Sequence, residues 1–141
     1  MTAADFVERV ATVDELRALA HAVEWDDHYD WHTIGRSLAG SLHGVVAIID
    51  GGVVGMGRLV GDGVHYFYVQ DVIVDPAHSD EGIATEIVSR LLEWIERTAP
   101  SAAFVGLFAS DEARSVYETL GFSHDDEMTG MHRVVDRRGH D

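Results

Sequence analysis

The chain has 141 residues, 46% of them hydrophobic, with no cysteine and a formal net charge of −15 at pH 7. The length fits one domain over 1–141, because domains commonly run about 100–150 residues, and the lack of cysteine excludes disulfide frameworks, zinc ribbons, iron–sulfur sites and a cysteine nucleophile. A field this negative disfavours duplex nucleic acid, no apolar run approaches the ~20 residues that span a bilayer, and residues 1–5 lack the features of a signal peptide, so a cytoplasmic protein without nucleic-acid or membrane partners is expected.

Phe6-Val7-Glu8-Arg9-Val10-Ala11 reads as a first strand. Thr12 and Glu15 stand three apart, the spacing of a capping box, and open a helix carried by Leu16, Leu19 and Ala20 up to Val23. Residues 24–32 are aromatic and acidic without periodicity, a loop entering a second short helix from Trp31 to Leu42. Val45–Ile49, the turn Asp50-Gly51-Gly52 and Val53–Val60 form a hairpin. Tyr66–Val74 is β-branched and aromatic, a third long strand ended by Asp75-Pro76. Ile83, Ile87, Leu91 and Ile95 recur every four residues, predicting an amphipathic helix to Thr98. Ala102–Phe108 reads as a buried strand, and Asp111–Leu120 as a helix stopped by Gly121. Phe122-Ser123 and Met131–Val135 are predicted to pair as closing strands, with a frayed end through Arg137 and Arg138. This order predicts an α/β fold, a mixed sheet with helices on both faces.

The stretch from Gln70 to Arg90 is the informative one. A strand ends, a loop of small and acidic residues follows, and a helix opens at Gly82. Unpaired N–H groups at a helix start bind anions without side chains, and Gly82 and Ala84 let a ligand approach the backbone. A plain strand–turn–helix with a glycine for turn geometry is the other reading of the same residues.

Ser79-Asp80-Glu81-Gly82-Ile83-Ala84, following Val72-Ile73-Val74, resembles the acetyl-CoA motif of the GNAT N-acetyltransferases, whose pattern is Gln/Arg-x-x-Gly-x-Gly/Ala. Ala113-Arg114-Ser115-Val116-Tyr117-Glu118-Thr119-Leu120-Gly121-Phe122 resembles the family's second signature, and Gly55-Met56-Gly57-Arg58, Gln70-Asp71-Val72 and Gly130-Met131 look like a subgroup that includes the plant serotonin acetyltransferase-like proteins. The resemblance implies a mostly antiparallel sheet with a splayed strand pair. It implies that the free edge of Val72, Ile73 and Val74 bonds the pantetheine arm of acetyl-CoA, and that its N–H groups stabilise the oxyanion. It further implies that the backbone of Asp80, Glu81, Gly82, Ile83, Ala84 and Thr85 holds the pyrophosphate, and that Tyr117 protonates the leaving thiolate. A homodimer follows from family habit. Three positions depart from the pattern: Ser79 stands where Gln or Arg is usual, Asp80 and Glu81 are acidic, and Ser110 stands where Asn is frequent. Ser79, Ser110 and Arg114 remain with the cofactor-binding set, and weaker cofactor affinity at low salt is expected.

The attacking amine must lose a proton. Asp71, beside the cofactor edge, is the preferred acceptor, with Glu24 and Asp26 behind it; a salt-bridged or outward Asp71 is the other reading, since strand alternation alone does not decide the face. Trp25, Tyr29 and Trp31 either wall a pocket for an aromatic or cationic amine or pack two helices on the sheet. Tyr117, at helical spacing from Ala113 and Leu120, has a core reading beside its catalytic one. His28 and His32 lack a third ligand, so no metal is expected. Gly55, Gly57 and Gly61 are off-register for dinucleotide binding and open no helix.

All ten basic residues are Arg, and neither Lys nor Asn occurs. We read the acidity as adaptation to a salty cytosol together with codon bias, rather than steering of cationic substrates, because steering needs local charge. The resulting expectation is transfer of acetyl from acetyl-CoA to a primary amine of a small molecule by direct attack. A catalytically inactive acyl-CoA or metabolite-binding module with the same fold is the alternative.

Overall fold

As far as Thr119, strands and helices follow the order read from the sequence, in a computed structural model that describes residues 3–136. The chain divides after Leu107 into two units, Met1–Leu107 and Phe108–Asp141. The first holds β1 (Asp5–Val7), α1 (Val13–Ala22), α2 (Ile34–Ala39), β2 (His43–Ile49), β3 (Gly52–Gly61), β4 (Tyr66–Val74), α3 (Ile83–Thr98) and β5 (Phe104–Gly106). Its sheet runs β1-β2-β3-β4-β5, antiparallel except for the parallel β4–β5 pair.

Local chemistry sets the element boundaries. Thr12 Oγ1 accepts from the Glu15 N–H at 3.2 Å and Glu15 Oε1 accepts from the Thr12 N–H at 2.9 Å, the reciprocal box that the spacing predicts. Asp50 (φ +50°) and Gly51 (φ +81°) are both left-handed, as a type I′ hairpin turn between β2 and β3 requires.

Each face of the sheet carries helix. On one, α3 buries Ile83, Ile87, Val88, Leu91 and Ile95. Gly57 permits its close approach, because a Cβ there would lie 2.7 Å from Ile87 Cγ2. On the other, Leu16 and Leu19 of α1 and Ile34 and Leu38 of α2 cluster with Val46, Met56 and Ile73.

A bulge in β4 decides which residues face which layer. Phe67 meets Trp94 of α3 edge-on at 6.5 Å, whereas Ile73, six residues on and of the same parity, lies in the opposite cluster. The register slips between Met56 and Arg58, so that Gly57 alone opposes Asp71 and Val72. Asp71 takes φ +56°. The extra residue reverses the alternation of everything after it.

Several boundaries differ from the sequence expectation. β1 stops at Val7 rather than Ala11, since the Arg9 N–H turns back to the Val7 carbonyl at 3.1 Å. The Arg9–Val10 backbone then crosses Gly44 so closely that a Cβ there would lie 2.7 Å from Val10 Cα. The second helix spans Ile34–Ala39 rather than Trp31–Leu42, flanked by turns. β5 is three residues long rather than seven, and Phe104 is 60% exposed: it is an edge strand, not a buried one.

In the second unit, α4 (Arg114–Thr119) ends where Gly121 takes φ +93°, the left-handed exit expected of it. The Tyr117 and Phe122 rings pack near-perpendicular at 5.9 Å. The closing strands expected at Phe122-Ser123 and Met131–Val135 do not form; residues 122–136 carry no strand, and Met131, Val134 and Val135 are exposed. A strand exists only as a member of a ladder, and β-branched composition supplies no partner. The frayed end at Arg137 and Arg138 lies outside the described residues.

Candidate active site

The site begins where β4 parts from β5. The two pair only at Tyr66, Phe67 and Tyr68. From Val69 to Val74 that edge of β4 has no strand partner among the described residues. Asp75 donates to the Val54 carbonyl at 2.8 Å, and alternation along the strand then turns the Val72 and Val74 amides to the open edge and the Ile73 amide toward β3. The expected splayed pair is therefore present. Ile73, named with the cofactor edge, instead gives its side chain to the core, 2% exposed.

The open edge leads directly to a helix start. The Asp75 carboxylate accepts from the Ala77 N–H at 3.0 Å and opens a 3-10 turn over Pro76–His78. Ser79, Asp80, Glu81 and Gly82 follow, all exposed. Gly82 is the N-cap of α3 in the left-handed region (φ +75°) and no side chain caps the helix, so the first-turn N–H groups of Ile83, Ala84 and Thr85 face outward. A Cβ on Gly82 would meet nothing within 4 Å; glycine is needed there for its φ, and the space above the helix start is open. Such a terminus holds an anion with backbone alone.

The side chains around it carry the opposite preference. Glu81 is drawn to His78 Nδ1 at 2.8 Å, while Asp80 projects into solvent. Beside the helix start, toward β1, lies a cavity of about 570 Å³ lined in part by Phe6, Asp80, Glu81, Gly82, Glu86 and Arg90. Arg90, the one basic side chain lining it among the described residues, sits 5.0 Å over the Phe6 ring and bonds Glu86 at 2.7 Å, so much of its charge is already met.

Asp71 occupies the bulge, buried, with both carboxylate oxygens bonded. Oδ2 accepts from Arg58 Nε at 2.9 Å, and Oδ1 accepts from Tyr29 Oη at 2.7 Å and Gln70 Nε2 at 3.1 Å. Of the two readings open in the sequence, the salt-bridged acid is the one this geometry has. Burial, and then the Asp71 carboxylate, hold the Tyr29 hydroxyl well above its ordinary range. Arg58 escaped the sequence reading as a functional residue. The available signal was a lone arginine in an apolar strand between Met56 and Leu59, both fully buried, where a charge requires a buried partner.

The aromatic segment divides. The Tyr29 and Trp31 rings lie 5.3 Å apart and pack against the cluster under α1 and α2, and Arg17 lies 4.7 Å over Trp31. Trp25 stacks on His28 at 5.2 Å and stays 36% exposed. Glu24 and Asp26 are exposed, Asp26 beside His21 at 3.1 Å.

The remaining sequence-predicted residues lie in the second unit. Ser110 Oγ accepts from the Ala113 N–H at 3.2 Å, fixing the turn before α4. Arg114 is exposed, 3.6 Å from Glu118. Tyr117 is half-buried, and burial pushes its hydroxyl up, so it stays protonated and able to donate. Among the described residues no three His, Asp or Glu side chains converge as metal ligands, and no helix is long and apolar enough to cross a membrane.

An open strand edge running into an uncapped helix start, on a five-stranded mixed sheet with helices on both faces, presents main-chain amides of the kind that suit an extended ligand with an anionic end. The model of the GNAT acetyltransferase family matches residues 10–122. The chain belongs to that family. Among solved structures it resembles a GNAT-family acetyltransferase from Streptococcus pneumoniae, 25% identical, TM-score 0.80, covering 95% of this chain and 99% of that one. A Staphylococcus aureus protein described as a probable acetyltransferase is 20% identical, TM-score 0.84, over 94% and 99% of the two chains. Glucosamine-6-phosphate N-acetyltransferase from Arabidopsis thaliana is 18% identical, TM-score 0.65, over 94% and 99%. No protein with a curated description matches the sequence.

Proposed function

We propose that this chain moves the acetyl group of acetyl-CoA to a primary amine of a small molecule, by direct attack and without an acyl-enzyme. The observation that carries the reading is the continuity of two main-chain features: the edge amides of Val72 and Val74, and the uncapped N–H groups of Ile83, Ala84 and Thr85 after Gly82. An extended amide-bearing arm suits the first and a diphosphate the second. When bound, acetyl-CoA supplies the activated acetyl thioester.

The chain's own groups then have distinct tasks. Edge amides hold the developing oxyanion. The Tyr117 hydroxyl gives a proton to the departing thiolate. Asp71, with both oxygens engaged and its side chain 2% exposed, serves as an anchor for β4 rather than as the acceptor of the amine's proton. Trp25, the most exposed ring of the aromatic segment, offers a face to the acceptor amine.

Isothermal calorimetry with acetyl-CoA at 0.1 M and 1 M KCl tests the reading, followed by release of CoA thiol with a panel of primary amines. Heat at both salt concentrations and thiol release with at least one amine are expected. Heat without release from any amine would leave a binding module of the same fold; no heat at either salt would defeat the cofactor assignment.

A further inference from the structure

We propose that Arg58 is a positioning residue for acetyl transfer: by gripping both Asp71 and the end of α2, it holds the bulge of β4 and so the aim of the Val72 and Val74 amides. This rests on the function proposed above. Arg58 is 5% exposed. Its Nε donates to Asp71 Oδ2 at 2.9 Å, Nη1 to the Ser37 carbonyl at 3.0 Å and Ser41 Oγ at 3.1 Å, and Nη2 to Ser37 Oγ at 3.2 Å. One planar group thus ties β3, the β4 bulge and the C-terminal turn of α2, whose carbonyl end favours a cation.

The bulge needs such a hold. Asp71 sits at φ +56°, a conformation L residues avoid. The residue facing it across the ladder is Gly57, which offers no side chain against which Asp71 could register. If β4 slipped by one residue to a regular ladder, its alternation would reverse, turning the Val72 amide from the open edge toward β3. The same slip would strand a buried carboxylate and a buried guanidinium, and that opposes it. Tyr29 bonds the second carboxylate oxygen at 2.7 Å, so the aromatic segment and the cofactor edge hang from one anchor.

The test uses the full chain with two conservative changes. Arg58→Lys keeps the charge but has no fork to reach Asp71, Ser37 and Ser41 together. Tyr29→Phe keeps the ring and removes one bond to Asp71. With an amine that the wild type accepts, Arg58→Lys should lower kcat by about tenfold or more and raise KM for acetyl-CoA by a smaller factor, since the same edge amides also hold the extended arm. The ¹⁵N–¹H resonances of Val72 and Val74 should shift in the ligand-free variant. Tyr29→Phe should show the same split with a fall of about three- to tenfold, and it carries the test if Arg58→Lys does not fold. Unchanged kcat and unchanged Val72 and Val74 resonances in the folded variants, with only Tm lowered, would overturn the proposal. Absence of acetyl-CoA binding by the wild type would instead bring down the functional reading first, and this role with it.

Discussion

Arg58 Nε and Asp71 Oδ2 stand 2.9 Å apart in an ion pair whose side chains are 6% and 2% exposed. Two charges withdrawn from water are tolerated only when their remaining hydrogen-bonding groups are met, and no described buried polar side-chain atom lacks a partner. Arg58→Met leaves the buried carboxylate without its opposite charge, which should destabilise the protein by about 3–5 kcal/mol. Adding Asp71→Asn removes the stranded charge and should recover part of that loss. Urea unfolding of the wild type, both single variants and the double variant measures the coupling; additivity within about 0.5 kcal/mol would mean that the pair does not act as a unit.

Asp80 and Glu81 place two carboxylates beside a helix start otherwise suited to an anion. At roughly 8 Å in water each charge pair is worth about 0.5 kcal/mol. Asp80→Asn combined with Glu81→Gln should therefore tighten acetyl-CoA binding about threefold to tenfold at low salt. At 1 M KCl the screening length falls to about 3 Å and the advantage should nearly vanish. Calorimetric Kd values at the two salt concentrations check this; equal affinities at low salt would show that neither carboxylate is felt by the ligand.

Tyr117 carries one hydroxyl and a half-buried ring. Tyr117→Phe keeps the ring that packs on Phe122, so kcat should fall about ten- to a hundredfold with little change in KM for acetyl-CoA. Because burial raises the hydroxyl above its ordinary value, the wild type should lose no rate to tyrosine ionisation below about pH 10. A parallel loss of kcat and cofactor affinity would point to a packing role instead.

Glu15 offers a stability measurement with a definite sign. Its bonds to Arg9, aided by those to Thr12 and opposed by burial, hold its carboxyl at about 2. Depressed below the unfolded value of about 4.5, it contributes stability that is complete at higher pH and is lost as pH falls through about 4 toward 2. The difference in unfolding free energy between wild type and Glu15→Gln should thus be flat above pH 5 and shrink toward zero near pH 2. Comparing the two proteins cancels the general effect of neutralising other acids. A pH-independent difference would mean that the side chain acts through shape alone.

Features legible in the sequence share a short reach. The Thr12–Glu15 box, the Asp50-Gly51 turn, the Tyr66–Val74 strand and the stripe from Ile83 to Ile95 are all written within a few residues of chain, because capping, turn conformation and helical periodicity are themselves local. Gly82 before Ile83 and Ala84 likewise located the start of α3. The ends of the sheet were less legible: Ala102–Phe108 shrank to Phe104–Gly106 and Met131–Val135 formed no strand, since strand formation depends on a neighbour that composition does not name.

The amino-acid order alone determined the element sequence as far as α4, the family signatures and the glycine at the head of α3. Tertiary structure alone decided the face of Asp71 and its partners. A single bulge opposite Gly57 reverses the parity of β4, and besides the adjacent Gln70 the groups that meet the carboxylate come from 13 and 42 residues away in the chain, Arg58 and Tyr29. A buried charge is settled by whichever opposite charge and hydrogen bonds the folded layers bring to it, and those distances in space have no counterpart along the chain.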